Sequence, residues 1–126
     1  MTPEQKFYQW FRKQLPAGAD CVRIETSTMG GMPDINVCYL GTDTWLELKV
    51  AVGEYVLIRP DQYAWINRRA RAGGRCFILA QCGNNYLVWK FPCYSVTPRG
   101  KYLAMDIFSE SFRTTDGKQL VNFLFT

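Results

Sequence analysis

Thr44-Trp45-Leu46-Glu47-Leu48-Lys49-Val50 is an apolar strand interrupted twice by charge. Side chains alternate along a strand, so Leu46, Leu48 and Val50 fall on one face while Glu47 and Lys49 share the other. Upstream, Gly41-Thr42-Asp43 reads as a turn, and Pro33 to Leu40 alternates as the preceding strand, opened by Asp34. Antiparallel pairing across that turn brings Asp34 to Glu47 and Lys49. Two carboxylates plus a backbone carbonyl, that of Leu48, make an all-oxygen donor set that suits Mg²⁺ or Mn²⁺. Such an ion keeps several waters and can offer one to a phosphodiester, with Lys49 placed to orient or deprotonate it or to stabilise transition-state charge. Each residue also has an ordinary alternative: Asp34 as a turn cap, Glu47 and Lys49 as a cross-strand ion pair.

Working outward, Thr2-Pro3 with Gln5 is a capping box that starts a helix over 3–15, with Phe7, Trp10, Phe11 and Leu15 at helical spacing. Cys21 to Glu25 alternates as a strand, and Thr26 to Met32 is a Gly-rich loop, completing a three-stranded meander. The segment 51–58 reads as a loop with a short extended piece at Tyr55–Ile58. Pro60-Asp61 opens a second helix that Gly73-Gly74 closes, with Tyr63, Ile66 and Ala70 facing the sheet and Gln62 and Arg69 at that face's edge. Strands follow at 75–81 and 86–91 around the turn Gly83-Asn84-Asn85. Beyond Pro92, short strands are predicted near 101–107 and 119–125, where aromatics such as Tyr94, Tyr102, Phe108, Phe112, Phe123 and Phe125 complete the core or a dimer interface. The whole is one domain of 126 residues, with its core at about 1–91 and a C-terminal extension over 92–126.

The chain contains no histidine, which excludes histidine triads, histidine general bases and histidine-ligated zinc. Its five cysteines lack C-x-x-C spacing and sit mostly among apolar residues, as reduced thiols in a cytoplasmic protein do. No signal peptide or membrane-spanning run is evident. The net charge of +4 is concentrated in Arg59, Arg68, Arg69, Arg71 and Arg75, against Asp61 alone. Arginines gathered beside Tyr63 and Trp65 make a surface for phosphate-rich partners, with Arg68, Arg69 and Arg71 as a clamp and Arg69 nearest the site. Ser27, between Thr26 and Thr28, offers a further hydroxyl for phosphate.

Gly31-Met32-Pro33-Asp34, twelve intervening residues, Glu47-Leu48-Lys49, and later Pro60-Asp61-Gln62-Tyr63-Ala64-Trp65 together resemble the PD-(D/E)XK nuclease superfamily, and within it the small VRR-NUC and Holliday-junction-resolvase-like nucleases. The resemblance spans roughly residues 1 to 82. It implies an α/β (α+β), restriction-endonuclease-like αβββαβ core with a mixed central sheet flanked by helices. It also implies Asp34 and Glu47 as metal ligands, Lys49 as the catalytic lysine and Gln62 as a residue that supports the site or touches the substrate backbone. Glu4 is the candidate for an additional acid on the first helix, and Glu25 its rival. The cofactor implied is Mg²⁺ or Mn²⁺ and the partner is DNA, in its sharpest form a four-way junction cut by a homodimer. Small size and an extension unlike the family are compatible with a bacteriophage source. The alternative is a catalytically silent nucleic-acid-binding or inhibitory protein on the same fold.

Overall fold

A computed structural model of the chain describes residues 1–24 and 30–126. Helix α1 (Pro3–Gln14) leads into β1 (Asp20–Arg23), β2 (Ile35–Tyr39) and β3 (Thr42–Val50). Then come β4 (Tyr55–Ile58), α2 (Pro60–Arg71), β5 (Arg75–Cys82) and β6 (Asn85–Lys90). The chain finishes with β7 (Thr97–Arg99), β8 (Tyr102–Asp106), β9 (Phe112–Thr114) and α3 (Gly117–Phe125). A six-stranded sheet in the order β1-β2-β3-β5-β6-β9 forms the centre, and β4-β8-β7 form a second, three-stranded sheet. Among the described residues only β3 and β5 run parallel; their crossover carries β4 and α2. The mixed central sheet flanked by helices is therefore the predicted αβββαβ architecture.

The alternation in β3 decides what lies on each side. Leu46 and Leu48 join Phe7 and Phe11 of α1 and Leu120 and Leu124 of α3 in one core. On the opposite face, Ile66 and Ala70 of α2 pack with Ile78, Trp89, and Val56, Ile58 and Met105 of the second sheet. α1 begins as its sequence requires: Thr2 Oγ1 accepts the Gln5 N–H at 3.1 Å, and Gln5 Oε1 accepts the Thr2 N–H at 2.8 Å. On α2, Trp65 and Asn67 are buried along with Ile66, so the inward face is broader than Tyr63, Ile66 and Ala70 alone. Asn67 holds both backbone groups of Cys93, tying the helix to the segment after β6.

Three sequence expectations change. The β2–β3 turn is Leu40-Gly41, with φ of 50° and 78°, closed by the Tyr39–Thr42 pair. This is the two-residue turn whose twist matches an antiparallel hairpin, so β3 starts two residues earlier than expected. Tyr55–Ile58 is a full strand, because β8 from the C-terminal region pairs with it from Tyr55–Asp106 to Ile58–Leu103. Residues 119–125 are helical, not a strand. Asp116 caps that helix by accepting the Lys118 N–H at 2.8 Å, and Leu120 and Leu124, one turn apart, bury against α1's face of the sheet. A short apolar run carries no period that separates strand from helix; the uncovered sheet face decides.

Gly31 is buried with φ +85°, and a β-carbon there would collide with the Asp61 carbonyl at the entrance to α2. The loop before Asp34 thus rests directly on α2. Gly31→Ala is expected to destabilise the protein by about 2–4 kcal/mol, combining the left-handed backbone with the clash. Urea unfolding of the two proteins measures this; equal midpoints would refute the packing.

Candidate active site

Asp34 immediately precedes β2, and the first β2–β3 pair is Ile35–Leu46, so Asp34 stands at the level of Glu47. Its backbone N–H donates to Glu47 Oε1 at 3.2 Å. The other carboxylate oxygen, Oε2, accepts from Gln62 Nε2 at 3.1 Å and lies 3.6 Å from Lys49 Nζ. Lys49 Nζ in turn donates to Gln62 Oε1 at 3.2 Å. Four residues from β2's approach, β3 and α2 are thus closed into one network.

Gln62 is the hub of that network for a local reason. It occupies the third position of α2, where a glutamine side chain reaches back to the residue before the helix: Oε1 accepts the Arg59 N–H at 3.1 Å. The same amide is then fixed in orientation, with oxygen toward Lys49 and nitrogen toward Glu47. The sequence carries this signal in Pro60-Asp61-Gln62, a helix start followed at its third residue by glutamine.

Glu47 is 2 % exposed, and Asp34 and Lys49 are half-buried. Burial, and then the neighbouring Asp34 carboxylate, push the Glu47 carboxyl well above the usual carboxylate range, while Lys49 opposes the shift. Two acids held together with one lysine form a site short of positive charge. The backbone adds a donor. Ile24 N–H bonds to the Asp34 carbonyl at 2.6 Å, which turns that carbonyl toward β1 and, by alternation, the peptide groups of Ile35 and Leu46 toward each other. Leu48, two residues past Leu46, directs its carbonyl to that same edge of β3, beyond Ile35, the first residue of β2.

The other expected residues fall elsewhere. Glu4 is exposed on the first turn of α1, which packs on the sheet face opposite Glu47. No hydrogen bond or ion pair among the described residues joins it to the cluster. Ser27, Thr26, Thr28 and the rival acid Glu25 lie outside the described residues. Arg68, Arg69 and Arg71 are exposed on α2. Arg69 does not reach the cluster: its guanidinium lies 5.6 Å from the rings of both Trp45 and Trp65, about 10 Å along the helix from Gln62. Sharing an edge on a helical wheel says nothing of position along the axis. Arg75 leaves the basic group altogether, donating to the Leu124 carbonyl at the end of α3 and to Thr44 Oγ1. Two features of the site escaped the sequence: the Arg59 backbone as a ligand of Gln62, and the seat of Gly31 on Asp61.

Among the described residues, no group of three or more His, Cys, Asp or Glu side chains gathers to hold a metal, and no helix is long and apolar enough to cross a membrane. By sequence, the chain matches no family model and no curated protein. In three dimensions it matches 23 chains of solved structure. One is the Holliday junction resolvase Hjc of the archaeal hyperthermophile Archaeoglobus fulgidus, at a TM-score of 0.61 and 13% identity, covering 93% of this chain and 98% of that one. The chain therefore shares the fold of that resolvase.

Proposed function

We propose that this protein is a divalent-metal-dependent endonuclease of the small resolvase or VRR-NUC type, hydrolysing phosphodiesters in branched DNA. The observation that carries this reading is Glu47, a buried carboxylate held against Asp34, Lys49 and Gln62 at the open edge of β3. A purely structural ion pair has no use for a second acid that raises the energy of the first. The resolvase-like fold supports the same reading, as does a sequence without histidine, which restricts phosphodiester chemistry to carboxylates, lysine and oxygen-bound metal.

The donor set fits Mg²⁺ or Mn²⁺: Asp34, Glu47 and the Leu48 carbonyl are all oxygen ligands, and two adjoining acids gain from a divalent charge. A cation bound there supplies Lewis acidity toward the phosphodiester. The chain's own residues do the rest. Gln62 fixes Glu47 and Lys49 relative to one another, and Lys49 presents its ammonium to the charge that develops on the phosphoryl oxygens. Symmetric cutting of a four-way junction requires two such sites, so the acting form in this reading is a two-fold homodimer.

The test is cleavage of labelled four-way junction, linear duplex and single strand with Mg²⁺, with Mn²⁺ and with EDTA, alongside sedimentation of the protein. Metal-dependent incision, paired across the junction and made by a dimer, is the expected result. A protein that binds the junction and cuts nothing with either ion would instead be a silent binder on a nuclease fold.

A further inference from the structure

We propose that Trp45, Asn36 and Arg69 form a nucleotide subsite beside the catalytic cluster, holding one nucleotide of the DNA strand next to the phosphate that is cut. The inference rests on the nuclease reading above and adds to it where the strand is held. The register of β2 and β3 places the subsite. Asn36 pairs with Trp45, two residues along each strand from the level of Asp34 and Glu47. Opposed residues of antiparallel strands point to the same side, and residues two apart on a strand share a face. Trp45 and Asn36 therefore lie on the face of Glu47 and Asp34, about 7 Å farther along the strands.

Helix α2 supplies the cation. Gln62 stands at Glu47, and Arg69, two turns later, stands at Trp45. Trp65 meets Trp45 edge-on at 5.4 Å between ring centres, and the Arg69 guanidinium lies 5.6 Å from both rings. The rings orient this cation without neutralising it, and among the described residues it forms no ion pair. Trp65 is buried, whereas Trp45 and Asn36 are half-buried and Arg69 is exposed, so solvent reaches an indole, an amide and a guanidinium in one place. The sheet stays open beside them: Val22, paired with Asn36 and so on the same face, is 48 % exposed. Asparagine is disfavoured within strands, and Asn36 makes only a long contact, 3.4 Å from Nδ2 to the Thr44 carbonyl. Each group matches one part of a nucleotide: the guanidinium its phosphate, the indole the face of its base or sugar, the amide a polar edge. Farther along this face lie the exposed acids Asp43 and Asp20, both set against Cys38. They repel a further phosphate, which limits the subsite to one nucleotide.

The experiment measures binding of a labelled four-way junction in EDTA across about 50–200 mM salt for wild type, Arg69→Gln, Arg69→Lys, Asn36→Ala, and Lys13→Gln on α1. Arg69→Gln is expected to bind about 5–10-fold more weakly, with the slope of log affinity against log salt reduced by about 1. Arg69→Lys is expected to keep the wild-type slope, and Lys13→Gln to match wild type. Asn36→Ala is expected to bind about 3–5-fold more weakly at the wild-type slope, since a hydrogen bond and no charge is lost. Tryptophan emission reads the contact directly. Junction is expected to quench wild type, and most of that quench to be missing in Trp45→Phe, which keeps Trp10, Trp65 and Trp89 and a ring against Trp65. Wild-type affinity and slope in Arg69→Gln, or an undiminished quench in Trp45→Phe, would overturn the subsite; metal-dependent cleavage by the wild type would leave the nuclease reading intact. A wild type that binds no DNA would overturn both.

Discussion

Asp34→Ala and Glu47→Ala are each expected to abolish junction cleavage, by about 10³-fold or more, with binding measured in EDTA retained or tightened. The two effects have opposite signs for one reason. In the proposed reaction each carboxylate is both a metal donor and a negative charge that the phosphate backbone must approach. Asp34 tests this most cleanly, since it is half-buried and precedes β2 rather than lying within it. Lys49→Ala is expected to lose about 10²–10³-fold by removing the cation nearest Glu47, at 3.6 Å. Gln62→Ala frees Lys49 and Glu47 from their shared amide and costs about 10–100-fold, a positioning effect. The readout is the initial rate on labelled junction at saturating protein, each variant purified in parallel. Cleavage by Asp34→Ala at the wild-type rate, with the same ion dependence, would show the activity to come from elsewhere.

How much of this was legible in the sequence depended on how local each cause was. The Glu47 and Lys49 face could be read because β3 is nine residues long and buries Leu46 and Leu48 on its other side, so a one-residue slip would expose its core. The start of α1 was legible because its capping chemistry is confined to four residues, Thr2 to Gln5, and that of α2 because Pro60-Asp61 opens it, although the Gln62 bond to the Arg59 N–H was not read. β4 was legible only as a short extended piece within a loop, because its four residues join a sheet by pairing with β8, some 45 positions later. α3 was misread for the related reason that its apolar run satisfies either element, and only the sheet face left open beside α1 selects the helix. The arginines illustrate a different limit. Five lie close in sequence, yet Arg75 caps α3, Arg69 stacks on Trp45 and Trp65, and Arg59 pairs with Asp61.

Glu47→Gln is expected to stabilise the metal-free protein at pH 7–8 by about 0.5–2 kcal/mol while destroying its cleavage activity. Burial, reinforced by Asp34, raises the Glu47 carboxyl in the folded state, whereas in the unfolded chain it titrates near the ordinary glutamate value. Between those two values the folded protein holds more protons than the unfolded one, so stability falls as pH rises. The contribution is therefore fully present below about pH 4.5 and lost as pH climbs through the raised folded-state value. Other carboxylates titrate in the same range, so the informative quantity is the difference between variant and wild type at each pH. That difference should grow from acidic to neutral pH in EDTA. Lys49 loses its charge partner in the variant but keeps its bond to Gln62 Oε1. Asp34→Asn should move stability in the same direction by less, because it removes the second cause of the shift and leaves the burial. Saturating Mg²⁺ or Mn²⁺ should stabilise wild type and not Glu47→Gln, closing the gap, since an ion that binds only the folded state adds stability in proportion to its occupancy. Denaturant midpoints across pH 4–8, with EDTA and with each ion, measure all of this. A variant no more stable than wild type at pH 8 in EDTA would mean that Glu47 is already satisfied by Lys49 and Gln62, and that the site stores no charge strain for a metal to relieve.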